Sequence, residues 1–110
     1  MTPFVQIVTT CPNRDSAEQL AAALLEQRLA ACVQMGDCRS WYHWQEKIEH
    51  DNEVVCTIKS RQDLFAAVCE VIGRVHPYET PEILALPIVA VGAAYGDWLQ
   101  RELRPEEKEP

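Results

Sequence analysis

Long apolar runs are missing from this 110-residue sequence, and no stretch reaches the 18 residues that indicate a membrane-spanning helix. No basic region precedes the first apolar run, "MTPFVQIV", so we expect no signal peptide. The sequence also lacks a glycine-rich phosphate loop, a GxSxG motif and an HExxH motif, which are signatures of three large enzyme groups. We therefore expect a cytoplasmic protein with no membrane segment and no enzymatic activity.

Positive charge is scarce as well. Ten lysines and arginines stand against 17 aspartates and glutamates, which gives a net charge of −7. Because phosphate binding needs a basic face, this balance argues against nucleic acid as a partner. The five cysteines are odd in number and form no CxxC pair, so they predict neither a disulfide framework nor a zinc site. We interpret them as reduced thiols, several of them packed as small apolar side chains.

The hydrophobic fraction of 47% and the chain length predict one domain with one core. We expect this domain to span residues 1–110, with an ordered core over about 3–104. The last residues, 105–110, are rich in charge and proline, so we expect them to be disordered.

Hydrophobic periodicity predicts three strands and one helix in the first 60 residues. Residues 4–9 are predicted to form a strand and 15–29 a helix, which starts at a capping box on Asp15 or Ser16. Residues 31–44 and 47–60 are predicted to form a long hairpin, interrupted near Gly36–Asp37.

The second half is predicted to contain two helices and one strand. Ser60 is the predicted cap of a helix that Gly73 ends. Residues 82–91 form an apolar strand, and Pro87 places it at a sheet edge because proline lacks the ladder N–H. A last helix should turn four side chains inward: Tyr95, Trp98, Leu99 and Leu103. The order βαββαβ plus a C-terminal helix predicts an α+β, ferredoxin-like sandwich.

The predicted hairpin is too long for the domain. Roughly thirteen residues at about 3.3 Å each reach about 43 Å, whereas a domain of this size has a diameter of about 34 Å. The overhanging part would carry Trp41, Tyr42 and Trp44, which need a cover. A closed ring of identical chains supplies one. The alternative is that Gly36–Asp37 forms a true turn and the hairpin is ordinary.

The segment "HPYETPE", residues 76–82, is the best candidate site. Its two prolines stiffen the chain, and an extended backbone would place His76 and Tyr78 on one face. We expect this loop to be open to solvent, with a reachable imidazole whose removal leaves stability nearly unchanged. The alternative is that the prolines only shape a turn, with His76 and Tyr78 at a subunit contact.

A metal site on this loop is incomplete, since His76 is a single imidazole and zinc needs three or four protein ligands. Cys11 and nearby glutamates could add ligands if folding brings them close. Lys59 ends a strand and could meet an anion, although a solvated lysine is the plainer interpretation.

Five stretches carry a family likeness: "RLAACVQM", "SWYHW", "EVVCTIKS", "HPYETPEILALPI" and "YGDWL". Together they closely resemble the CutA family of divalent-cation tolerance proteins, from about residue 4 to 103. The resemblance implies a ferredoxin-like fold in a tight homotrimer, long hairpins at the subunit contacts, and an architecture like that of PII-type signalling trimers. It also implies copper binding in some members and no established enzymatic activity.

The sequence departs from the family pattern at three places. Copper-binding members use a cysteine near the end of the first strand and two adjacent histidines, and the matching positions here are Thr9 and Val75–His76. Weak binding of Cu(II) is therefore expected. Glu46 stands where the hairpin turn usually has glycine, so we expect the local turn to differ.

We therefore expect a trimer that binds copper, another divalent cation or a small ligand in clefts between subunits. The predicted metal ligands are His76 and Cys11. The predicted ligand-binding residues are Trp44, Lys59, Tyr78, Glu79 and Glu82. The alternative function is a PII-like regulatory trimer that binds an unknown partner protein or a small organic ligand.

Overall fold

The structure is a computed structural model that describes residues 1–106. Its elements are β1 (Phe4–Cys11), α1 (Arg14–Glu26), β2 (Cys32–Trp44), β3 (Lys47–Arg61), a 3-10 turn (Gln62–Leu64), α2 (Phe65–Val75), β4 (Leu84–Pro87) and α3 (Ala93–Glu102). The strands form one antiparallel sheet in the order β2-β3-β1-β4. The predicted βαββαβ order with an extra C-terminal helix, and with it the α+β ferredoxin-like fold, is confirmed.

The core lies between one face of the sheet and the helices. Alternate side chains of β1 and β3, among them Ile7 and Ile58, are fully buried on that face. Leu20 from α1 and Val68 and Ile72 from α2 are buried in the same cluster. Each such side chain contributes roughly 1.5–3 kcal/mol by leaving water, so the central strands and the two helices are fixed against each other.

The start and end of α1 differ from the predicted 15–29. Asn13, not Asp15 or Ser16, is the cap, and its Oδ1 accepts a hydrogen bond from the Ser16 N–H at 2.8 Å. The helix ends early because Arg28 adopts a left-handed φ of 55°. The Leu29 N–H then bonds to the Leu24 carbonyl at 3.0 Å, which closes the helix as a Schellman motif.

Both predicted boundaries of α2 are wrong. Ser60 belongs to β3, and its buried hydroxyl donates to the Leu29 carbonyl at 2.6 Å instead of capping a helix. The helix continues through Gly73 and ends at Val75. His76 has ψ 136° because it precedes Pro77, and this extended conformation stops the helix.

The last strand is an edge strand, as Pro87 predicted, but it has only four residues instead of ten. Pro87 is its final residue, where a missing N–H disturbs the ladder least. In α3, Leu99 and Leu103 are buried as predicted and Trp98 packs partly against the core. Tyr95 is 44% exposed, so its predicted inward position is wrong.

The hairpin of β2 and β3 is continuous from Cys32 to Trp44 on one side. Gly36 pairs with Val55 in the ladder, so the predicted interruption and the alternative of a turn at Gly36–Asp37 are both wrong. β1 accompanies β3 only from Val54 onward, which leaves residues 47–53 without that neighbour. Seven residues span about 23 Å, and the longest dimension of the molecule is 44 Å. The predicted overhang is confirmed.

Residues 107–110 lie outside the described part of the chain, so the predicted disorder of 105–110 and the domain limits 1–110 and 3–104 stay predictions. Within residues 1–106, none of the helices has the length and apolar character needed to cross a membrane.

Candidate functional site

A cleft of about 590 Å³ opens between the overhanging part of the hairpin and the loop after α2. We call it the acidic cleft. Ten residues line it: Thr10, Tyr42, Trp44, Asp51, Glu53, Pro77, Tyr78, Glu79, Thr80 and Glu82. Four of the five predicted ligand-binding residues are therefore brought together here, namely Trp44, Tyr78, Glu79 and Glu82. Among these lining residues, all from the described range 1–106, four are carboxylates and none is a lysine, arginine or histidine.

His76 lies behind the wall of the acidic cleft and is only 8% exposed. Its Nδ1 accepts a hydrogen bond from the backbone N–H of Tyr78 at 3.0 Å, and its Nε2 lies 2.7 Å from the Thr10 carbonyl oxygen. Nε2 must therefore carry the proton, and this N–H donates a hydrogen bond to the Thr10 carbonyl oxygen. Both ring nitrogens are engaged, so a metal ion could reach His76 only by replacing one of these bonds. The expectation of a solvent-open imidazole is wrong.

Tyr78 connects the loop to the hairpin. Its hydroxyl donates to Glu53 Oε2 at 2.9 Å, and its ring centroid lies 4.8 Å from that of His76. Burial, together with the hydrogen bond to Glu53 and the charge of that carboxylate, raises the pKa of Tyr78. The phenol stays protonated at neutral pH and acts as a hydrogen-bond donor, not as a phenolate ligand.

Three residues of the acidic cleft come from the hairpin and were missed in the sequence: Tyr42, Asp51 and Glu53. The Tyr42 hydroxyl donates to Asp51 Oδ2, and this bond raises the pKa of Tyr42 to about 12. The missed signal is strand alternation, because Asp51 and Glu53 are two residues apart on the same face of β3.

Two predicted site residues lie elsewhere. Lys59 does not line the acidic cleft and donates to Gln34 Oε1 at 2.8 Å. Cys11 is 1% exposed and belongs to the hydrophobic core. Its side chain points to the helix-covered face of the sheet, because the preceding residue, Thr10, lines the cleft on the other face. His76, Cys11 and the glutamates therefore do not converge on one point.

The chemistry of the acidic cleft suits a cation. Carboxylate oxygens are hard ligands that favour hard divalent ions, and Trp44 and Tyr78 add aromatic walls. In residues 1–106, however, no three side chains among histidine, cysteine, aspartate and glutamate are placed to hold one metal ion. A direct metal site would need a ligand from beyond these described residues.

Comparison with known proteins places this geometry in a family. The model of the family described as "CutA1 divalent ion tolerance protein" matches residues 5–102. The Mus musculus protein named "Protein CutA" is 42% identical over 93 residues, covering 84% of this chain and 52% of that protein. The Pyrococcus horikoshii divalent-cation tolerance protein CutA is 38% identical over 101 residues, covering 92% and 99%. The chain thus spans about half the length of the mouse relative and nearly all of the archaeal one.

A solved structure gives the same result for the fold. The structure titled "Periplasmic divalent cation tolerance protein CutA" from Archaeoglobus fulgidus superposes with a TM-score of 0.90 at 35% identity, covering 92% of this chain and 99% of that one. These names refer to tolerance of divalent cations and not to an enzymatic reaction.

The comparisons correct the predicted location. The Archaeoglobus protein is called periplasmic, and an Arabidopsis thaliana relative that is 35% identical over 103 residues is named "Protein CutA, chloroplastic". The same domain is thus assigned to compartments other than the cytoplasm. The prediction of a cytoplasmic location, which rested on a missing signal-peptide pattern, is wrong.

Proposed function

Because the chain belongs to the CutA1 divalent ion tolerance family, we propose that it binds a divalent cation in the acidic cleft and acts in tolerance of such ions. The observation that carries this proposal is the convergence of Asp51, Glu53, Glu79 and Glu82 on one cleft without a compensating positive side chain among its lining residues in the described chain. Their negative charges concentrate cations at the cleft.

The donor set favours hard cations over Cu(II). Oxygen ligands suit ions such as Mn²⁺, whereas imidazole suits copper. His76 has both ring nitrogens in hydrogen bonds, so copper gains little at this cleft. Weak Cu(II) binding therefore remains our prediction, now for a geometric reason in addition to the absent second histidine.

A homotrimer is the second part of the proposal. Trp41, Trp44 and Ile48 on the overhang are 64%, 59% and 67% exposed in the single chain. Three large apolar side chains this close together on one surface are costly to leave in water. A closed ring of copies would cover them. A neighbouring copy could also supply the ligands that a single acidic cleft lacks. Sedimentation at sub-micromolar protein tests assembly, and a stable folded monomer would contradict it.

Cation binding is tested by calorimetry with Mn²⁺ and with Cu²⁺ on the wild type and on two variants. Glu79→Gln/Glu82→Gln removes two charges from the acidic cleft, and Glu70→Gln removes one from an exposed position on α2. We expect Mn²⁺ binding to weaken at least tenfold in the first variant and to stay unchanged in the second. Equal binding by all three proteins would refute the proposal.

The alternative is a non-enzymatic, PII-like regulatory trimer that binds a partner protein or an organic ligand. The aromatic walls of the acidic cleft, Trp44 and Tyr78, favour this alternative, since a bare metal ion does not need them. The calorimetry with Mn²⁺ and Cu²⁺ distinguishes the two functions. A protein that binds neither ion would point to the regulatory function. Catalysis has little support, because no histidine, cysteine or lysine is among the lining residues within 1–106.

A further inference from the structure

Three aromatic rings stand beside the carboxylates of the acidic cleft. Tyr42 and Trp44 are two residues apart on β2 and therefore lie on one face of the hairpin. The register of β2 with β3 places Asp51 and Glu53 on that same face. Tyr78 lines the cleft from the loop after α2. A bare metal ion makes little use of such rings, so they point to a cation with an organic part.

Glu53 carries a charge that the protein buries without a cation beside it. The residue is only 9% exposed, and it lines the acidic cleft. Its Oε2 accepts the Tyr78 hydroxyl, whereas its Oε1 makes no hydrogen bond within residues 1–106. Neither of the two ion pairs found in that range involves Glu53. A desolvated carboxylate without a cation is unfavourable, and a positive group of a ligand would supply one.

The carboxylates are spread along the acidic cleft. Asp51 and Glu53 are neighbours on one face of β3, about 7 Å apart along the strand. Glu79 and Glu82 belong to the loop on the other side of the cleft. In residues 1–106, no three acidic, histidine or cysteine side chains converge on one point. Separated negative charges suit a ligand with separated positive charges, such as two ammonium groups joined by a butylene chain.

We propose that the acidic cleft binds a linear aliphatic polyamine. This inference rests on the proposed role of the cleft as a cation site and names a second class of cation for it. One ammonium group donates to Oε1 of Glu53, and the others reach Asp51 and the two glutamates of the loop. The connecting methylene groups lie against Trp44 and Tyr78, whose ring faces also attract the neighbouring ammonium groups.

Two tyrosines hold the carboxylates of β3 in position for such a ligand. The Tyr42 hydroxyl donates to Oδ2 of Asp51, and the Tyr78 hydroxyl donates to Oε2 of Glu53. A phenol is a neutral donor, so each bond orients a carboxylate and leaves its negative charge in place. The second oxygen of each carboxylate is then the acceptor for an ammonium group.

Trp41 provides a matched control for Trp44. The two indoles are three residues apart on β2 and are similarly exposed, at 64% and 59%. Trp41 lies on the opposite face of the hairpin, where its ring stacks on His50 with the centroids 4.5 Å apart. Replacing either ring by leucine removes one exposed aromatic side chain and no charge, but only Trp44 lines the acidic cleft.

The test is calorimetry of the full-length chain with spermidine as the probe and n-butylamine as its singly charged counterpart. We expect saturable binding of spermidine and binding of n-butylamine that is weaker by about tenfold or more, since one charge cannot bridge separate carboxylates. Glu53→Gln should weaken spermidine binding about tenfold. Trp44→Leu should weaken it roughly three- to tenfold, and more than it weakens Mn²⁺ binding, whereas Trp41→Leu should leave it unchanged. In the NMR spectrum of the wild type, spermidine should shift the indole N–H signal of Trp44 and not that of Trp41, a measurement that needs no variant to fold.

Several outcomes would overturn the polyamine proposal. They are the absence of saturable spermidine binding, equal affinity for n-butylamine, unchanged affinity in Glu53→Gln, and equal effects of Trp44→Leu and Trp41→Leu. The last result would reduce the ligand to a diffuse counterion of an acidic surface. Mn²⁺ is titrated separately. A chain that binds Mn²⁺ but not spermidine would refute this inference alone, and one that binds spermidine but not Mn²⁺ would refute the metal proposal alone.

Discussion

The Nε2 atom of His76 lies 2.7 Å from the carbonyl oxygen of Thr10, and this contact ties the loop after α2 to the end of β1. The same ring accepts the Tyr78 backbone N–H on its other nitrogen. His76 is therefore the residue that positions Tyr78, and through it the wall of the acidic cleft.

Replacing His76 should destabilise the fold. His76→Ala removes two hydrogen bonds and leaves the Thr10 carbonyl and the Tyr78 N–H without these partners, which should cost about 2 kcal/mol. This loss is the opposite of the expectation from the sequence, in which the imidazole of His76 is open to solvent. Urea unfolding measures the difference, with His43→Ala on the exposed hairpin as control. If both variants unfold at the same urea concentration, the contact to Thr10 carries no stability.

The hairpin turn offers a stabilising substitution. Gln45 and Glu46 both have positive φ, 51° and 66°, as in the type I′ turn, so the glycine-free turn keeps the geometry that glycine favours. Left-handed φ costs a residue with a side chain roughly 1–2 kcal/mol and glycine very little. We expect Glu46→Gly to raise the free energy of unfolding by about 1 kcal/mol.

The matched control for that turn is Glu49→Gly, three residues later in β3. There glycine only loosens a strand, so the free energy of unfolding should fall by about 0.5–1 kcal/mol. Thermal unfolding of both variants checks the pair. The explanation by φ would be wrong if both substitutions shift the melting temperature in the same direction.

The sequence predicted the fold well because fold depends on patterns that repeat over many residues. Strand alternation, the apolar stripes of two helices and Pro87 at an edge were enough for the order of elements and the overhang. Boundaries were harder. The helix α1 ends at Glu26 because Arg28 adopts a left-handed φ, and no glycine at that position signals it in the sequence. The start of α2 was placed wrongly because a serine before a helix usually caps it. Here the Ser60 hydroxyl donates instead to the carbonyl oxygen of Leu29, which is distant in sequence.

The candidate site was only half predictable. Tyr78, Glu79 and Glu82 were found because they are close in sequence on a proline-rich loop. Asp51 and Glu53 join them only through the register of β3 with β1 and the return of the chain after α2. The burial of His76 depends on Thr10, which is 66 residues away. No local pattern contains that information.

Alkaline pH should destabilise the protein through its tyrosines. The chain has three, Tyr42, Tyr78 and Tyr95, and all have raised pKa values. The causes are the hydrogen bond to Asp51 for Tyr42 and, first of all, burial for the other two. The folded state therefore holds these protons at a pH where the unfolded chain, with pKa near 10, has lost them. Because the native state then binds more protons, the free energy of unfolding falls as pH rises above about 10.

Two measurements check that dependence. Phenolate absorbance should appear at higher pH in the native protein than in denaturant, with Tyr42 titrating near pH 12. Chemical denaturation at stepwise higher pH should give falling midpoints in the same range, and Tyr78→Phe should reduce the slope. Coincident absorbance curves in native and denatured protein would contradict the raised values.

The Tyr78–Glu53 pair gives the last prediction. Glu53 is 9% exposed and accepts the Tyr78 hydroxyl at 2.9 Å, so its carboxylate is partly desolvated and depends on that donor. Tyr78→Phe removes the donor but keeps the ring against His76. A hydrogen bond to a charged group contributes about 1.5–3 kcal/mol, so this variant should lose an amount near that range. Tyr95→Phe, on the 44% exposed ring of α3, should lose almost nothing.

A double-mutant cycle with Glu53→Gln separates the hydrogen bond from simple packing. If the two residues interact as the geometry indicates, Tyr78→Phe costs less in the Glu53→Gln background than in the wild type, and the coupling energy is about 1 kcal/mol or more. Additive losses would show that Tyr78 acts through its ring alone. The wall of the acidic cleft would then be held by His76 and not by the bond across to β3.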